Sequence, residues 1–211
     1  MSRRVLLAIA IALAAGAANA ATLEVRARDA GGAPLADAVV FAVPSFGATD
    51  AKGARVEIAQ ADREFVPFVS VIQQGTAVTF PNRDPILHHV YSFSHAKPFE
   101  IKLYPGKSPS EIVFDKSGVV TLGCNIHDWM IAYVVVVPTP HFAKSGADGV
   151  ARLRDLPAGS YELRAWHPNQ KAAPANQAMV LDAAANARAT FAIDTATRKP
   201  KFKPPLDKLR Y

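Results

Sequence analysis

The sequence predicts an all-β protein built as a sandwich. Three observations carry that expectation. Apolar and polar residues alternate with a period of two through most of the chain. The alternating runs are short and rich in β-branched and aromatic residues. Turn signals separate them: Ala30-Gly31-Gly32, Gln74-Gly75, Pro105-Gly106, Lys116-Ser117-Gly118 and Ala158-Gly159. Past residue 20, no amphipathic helical window of useful length occurs.

Residues 21–56 are expected to hold a first strand pair. LEVRAR, from Leu23, alternates strictly, the turn Asp29-Ala30-Gly31-Gly32 follows, and ADAVVFAV runs on from Ala36. Residues 57–137 form a strand-rich block. Its runs are FVPFVSVI, TAVTF, HHVYSFS, EIVFD, VVTLGC and IAYVVVV. Pro138-Thr139-Pro140 breaks the pattern, and residues 138–194 continue with SGADGVARLRDLPAGSYELRAWHP and two further strand-like runs. The alanine-rich stretch Asp182 to Arg188 is expected to make a turn of helix. Residues 195–211 carry six Lys/Arg, one Asp and several prolines, too much charge for a core, and are expected to be a disordered basic tail.

The first twenty residues, MSRRVLLAIAIALAAGAANA, read as a cleaved signal peptide. Arg3 and Arg4 precede an apolar run that ends in the small-x-small site Ala18-Asn19-Ala20. The run is short for a membrane span and rich in alanine, so no transmembrane anchor is expected after cleavage. Ser2-Arg3-Arg4 before Val5-Leu6-Leu7 matches a twin-arginine signal only in part, which favours the general secretory route and a periplasmic address. The net charge of +6 is unevenly spread. Taking away the two leader arginines and the +5 tail leaves a body of net −1. Such a body is not a nucleic-acid binder, and no basic, aromatic-interleaved surface motif occurs.

The chain has one cysteine, Cys124, in GCNIHDWM. An exported thiol that cannot pair within its own chain is buried, shared with a second copy, or occupied by a metal. Cys124, His127 and Met130 are spaced by three residues, which returns each side chain to the same side of a tight loop. A thiolate, two imidazoles and a weak axial thioether suit both oxidation states of copper. Zinc has little use for a thioether. A Cys/His nucleophile on one short loop lacks room for an orienting third group. The second imidazole must come from a distant strand. His88 and His89 open HHVYSFS, and strand alternation sends them to opposite faces, so only one of the two can share a core site with Cys124.

Phe80-Pro81-Asn82, His88-His89-Val90, Phe114-Asp115, Gly118-Val119-Val120 and the stretch Cys124 to Met130 together resemble the plastocyanin and amicyanin group of cupredoxins. That resemblance covers about residues 57–137 and implies a Greek-key β-sandwich. Its first ligand is the histidine of a His-Asn-Val triplet and the rest lie in Cys-x-x-His-x-x-Met. The ligands implied are therefore His88, Cys124, His127 and Met130, around one mononuclear type 1 copper. His89 departs from the pattern: it stands where the group has the Asn whose hydrogen bonds tie the two ligand loops together. The resemblance further implies one-electron transfer, with His127 reaching an apolar surface patch as the electron port. The partner expected is a redox protein, acidic in character or a cytochrome. No substrate pocket is implied, so the chain is not read as an enzyme.

The flanks resemble something else. Val25-Arg26-Ala27-Arg28-Asp29 with Pro34 to Val39, and Asp148-Gly149 with Leu156 to Leu163, resemble the two halves of a carboxypeptidase-regulatory, transthyretin-like sandwich. The implied architecture is a cupredoxin inserted into, or packed beside, that sandwich, as in exported bacterial proteins labelled methylamine utilization protein. Nothing in the sequence recognises an amine. Two other roles suit the same residues: a periplasmic copper carrier or store, and an envelope-binding protein in which the copper site is secondary.

Overall fold

The computed structural model describes residues 20–45, 47, 51 and 53–197. All but the last residue of the expected signal peptide (1–20), and residues 198–211 of the expected basic tail, lie outside the described residues. Every regular element among the described residues is a strand, as the period of two predicts. β1 (Ala21–Asp29) and β2 (Val39–Pro44) come first. A middle group follows: β3 (Arg55–Glu57), β4 (Ala59–Ala61), β5 (Glu64–Val66), β6 (Val69–Gln73), β7 (Thr76–Thr79), β8 (His88–Ser92), β9 (Phe99–Tyr104), β10 (Ile112–Phe114), β11 (Gly118–Gly123) and β12 (Ile131–Val137). The last group is β13 (Phe142–Lys144), β14 (Val150–Leu156), β15 (Gly159–Trp166), β16 (Gln177–Leu181) and β17 (Asn186–Ile193).

Two large apolar cores and a smaller third cluster result among the described residues. The first lies between the sheets β14-β1-β17 and β13-β2-β15-β16. It holds Leu23, Val25, Val40, Leu153, Leu163, Phe191 and their neighbours. The chain leaves this core after Pro44 and returns to it with β13. The second core lies under the five-stranded sheet β6-β12-β11-β8-β9, with β10-β7-β3 and the pair β4-β5 completing the enclosure. Phe80, Phe114, Leu122, Val134 and Val136 fill it, together with Cys124 and Met130.

β12 explains its own sequence. Ala132, Val134 and Val136 face the second core, while Tyr133, Val135 and Val137 face the other way and pack with Val39, Phe41, Val69, Phe142 and Trp166. A strand buried on both faces reads as an unbroken apolar run, which is what IAYVVVV is. After β12, the Thr139 hydroxyl donates to the carbonyl of Ala42 (2.8 Å), and Ser145 accepts from the Ala38 amide and donates to the Leu35 carbonyl.

Two expectations need correction. Asp182 to Arg188 is not helical: Ala185 N–H bonds back to Asp182 (3.2 Å), Ala184 takes a positive φ, and β17 begins at Asn186. Alanine's helix preference yields because β16 and β17 belong to different sheets and a tight reversal must join them. FVPFVSVI is also not one strand, since β5 ends at Val66 and β6 starts at Val69.

Candidate metal centre

β8 and β11 are antiparallel neighbours that meet at Gly123↔Tyr91. Gly123 is the residue before Cys124, and His88 opens β8, so the pairing brings these two residues to one end of the sheet. Alternation then decides between the histidines. His88 points inward and is fully buried. His89 points to the opposite face, where its Nε2 meets Glu100 Oε1 at 3.0 Å. His127 lies in the turn after β11, and the amide of Met130 closes that turn on the His127 carbonyl at 2.9 Å.

The side-chain donors of His88, Cys124 and His127 all lie within 4.8 Å of one another, and all three residues are buried. Both rings turn Nδ1 toward the sulfur: His88 Nδ1 is 3.9 Å and His127 Nδ1 3.7 Å from Cys124 Sγ. Met130 is buried in the same apolar cluster as Cys124. His127 is fully buried, which corrects the expectation that it reaches the surface. Its ring packs against those of His88 and Trp129, each at a centroid distance of 5.0 Å and tilted by 57° and 51°. Ile126 beside it is 43% exposed and Trp129 is half-buried.

Several groups outside the motif shape the centre. Asp84 Oδ2 accepts from His88 Nε2 at 2.7 Å, which leaves Nδ1 free to face the sulfur. Asn82 shapes the loop between β7 and β8 by donating to the carbonyls of Ile86 and Tyr104 and accepting from the amide of Asp84. Burial pushes the Cys124 thiol up, but His88 and the backbone N–H groups of His89 and Ile126 outweigh it and hold the thiol below its ordinary range. Burial pulls His88 down, yet Cys124 and Asp84 raise it overall. Burial, then the charges of His88 and Arg63, depress His127 to about 4, so its imidazole is neutral at physiological pH. Burial also raises Asp84, but the amide of Arg63, His88 and the amide of Asp62 bring it down overall.

A thiol biased toward thiolate and two imidazoles, one neutral and one anchored through Nε2, form a soft, dry donor set, which fits copper. No protein-family model and no curated protein matches the chain. Solved structures do. A purple cupredoxin from Nitrosopumilus maritimus is 26% identical, at a TM-score of 0.34 over 40% of this chain and 99% of that one. Amicyanin from Paracoccus versutus is 17% identical, at a TM-score of 0.35 over 46% and 91%. The copper-containing nitrite reductase from Thermus scotoductus SA-01 is 24% identical, at a TM-score of 0.37 over 39% of this chain, which spans only 22% of that enzyme.

Proposed function

We propose that the chain is an exported copper protein that passes one electron at a time between redox partners, with His88, Cys124, His127 and Met130 holding one type 1 copper. The observation that carries this reading is the aim of two buried Nδ1 atoms at a single buried sulfur, 3.7 and 3.9 Å away. Copper bound there supplies the Cu(I)/Cu(II) couple. Cys124 offers the soft thiolate, and His88 and His127 the imidazoles that favour the oxidised ion. Met130, buried in the same cluster, would add a weak thioether donor. The apolar cluster around them excludes water, and Asp84 keeps the His88 ring in one tautomer. With His127 covered, the partner contact falls on Trp129 and the exposed Ile126. The leader-like first twenty residues support a periplasmic address, and the +5 tail suits an acidic partner, whose encounter it would speed at low salt.

The visible spectrum of the purified chain with Cu(II) tests this. One copper per chain and an intense thiolate-to-copper band are expected, and Cys124→Ser abolishes the band. A mutant that keeps the colour refutes the assignment. Rapid, reversible reduction with the metal retained distinguishes an electron carrier from a copper store.

A further inference from the structure

β4 and β5 form a two-stranded ladder joined by the turn Asp62-Arg63, and β4 is further bridged through Gln60 to Asn82. Both turn residues have positive φ, 52° and 58°. Asn-Gly is favoured in a two-residue turn of that shape. A β-carbon-bearing arginine is strained there and persists only where its surroundings hold it.

Asp84 holds one side. Its Oδ1 accepts the amide N–H of Asp62 at 2.7 Å, and its Oδ2 accepts that of Arg63 at 2.9 Å. Oδ2 also accepts from His88 Nε2. On the other side, the carbonyl of Arg63 accepts the indole N–H of Trp129 at 3.1 Å. Trp129 belongs to the Cys124–Met130 loop, and its ring packs on His127. One turn therefore touches both metal-binding segments through its own backbone. The His89 side chain makes no such tie, because it is directed to Glu100 on the opposite face; only the His89 amide reaches toward Cys124.

We propose that the β4–β5 turn is a clasp on the metal centre, with Asp84 and Trp129 as positioning residues that fix the His88 segment and the Cys124–Met130 loop relative to each other. The clasp deepens the copper reading and rests on it for its metal readout. It acts through peptide groups, so the Arg63 side chain is dispensable to it. A carboxylate that accepts three donors at once loses strength at all three when its charge is removed.

The test uses the full chain with Asp84→Asn, Trp129→Phe, the double variant and Arg63→Gly. Two quantities are read: Cu(II) release to a chelator, and hydrogen exchange at the Asp62 and Arg63 amides in metal-free protein. Asp84→Asn is expected to speed exchange at both amides at least tenfold and to weaken copper roughly ten- to hundredfold. Trp129→Phe, which keeps the ring but loses the N–H, is expected to release copper roughly tenfold faster. The double variant should lose less than the product of the two, because both act through one turn. Arg63→Gly keeps the peptide groups of the clasp and removes a positive charge that acts on His127, so it should hold copper at least as tightly as the parent. Unchanged amide exchange in Asp84→Asn, independent effects in the double variant, or parental release from Trp129→Phe would each overturn the clasp. Failure of the parent chain to take up copper would instead sink the copper reading and leave the exchange result to decide the clasp.

Discussion

Met130 stands one residue before β12, buried beside Cys124. An axial thioether helps Cu(II) more than Cu(I), so Met130→Leu is expected to raise the reduction potential while the coloured band survives. The swap nearly conserves volume and should cost less than about 1.5 kcal/mol. Cyclic voltammetry beside a thermal melt separates this from a methionine that only packs, for which the potential would not move. His167 offers a second test far from the metal. It is buried, its Nε2–H donates to the Ala36 carbonyl (3.1 Å), and its Nδ1 accepts from the Asn169 amide (3.2 Å). Burial is the main reason its pKa lies below the ordinary value of 6.5. The unfolded chain therefore takes up a proton first as pH falls, and stability drops below pH about 6.5, by at most about 1.4 kcal/mol per pH unit for this one group. Denaturation midpoints between pH 7 and pH 5 should show that slope in the parent and a shallower one in His167→Gln. At this scale much of the site was legible. Cys124, His127 and Met130 announce themselves by spacing, and alternation showed that only one of His88 and His89 can face inward. Asp84 left a weaker trace, an acid four residues before the histidine it anchors. The Asp62–Arg63 turn left none, because its partners lie more than twenty residues away and are reached through backbone atoms that carry no sequence signature.

Elements were legible where one face is wet. β1 and β15 alternate cleanly and were expected as strands. β9 was missed: Phe99 and Ile101 alternate with Glu100 and Lys102, but Leu103 is exposed and Tyr104 buried, so the period breaks before the strand ends. The turn into β14 shows a tighter constraint than pattern can reveal. Gly149 has φ +74°, and a β-carbon there would meet the Ala27 carbonyl at 2.6 Å and the Leu35 amide at 3.0 Å. These are backbone atoms of β1 and of the segment that follows its turn, and the Ala27 amide is already bonded to the Gly149 carbonyl (2.8 Å). Gly149→Ala should therefore cost roughly 2–3 kcal/mol, combining left-handed strain with a clash that cannot relax by side-chain rotation. A urea midpoint measures it. A loss of only a few tenths would mean the turn can shift away from β1.

At the scale of the whole molecule, β12 lines the second core with one face and with the other packs on Val39, Phe41 and Trp166 of β2 and β15, strands that line the first core, and the Cys124–Met130 loop runs directly into it. Heat should therefore melt the two cores together. Free copper at 100 times its dissociation constant would add about 2.7 kcal/mol to the folded state. Calorimetry is expected to show one transition that moves upward as a unit. Two transitions, of which copper moves only one, would show that the packing of β12 on β2 and β15 does not couple the cores. The shared wall also bears on what a fragment would do. A piece of chain cut to residues 55–137 keeps every metal-binding residue but uncovers Val69, Val71, Tyr133, Val135 and Val137 along one face. An apolar stripe of that kind, freed from Val39, Phe41 and Trp166, seeks another partner, and a second copy of the fragment is the nearest one at hand. Sedimentation should find the fragment self-associated and the full chain not, with Val135→Lys dispersing the fragment.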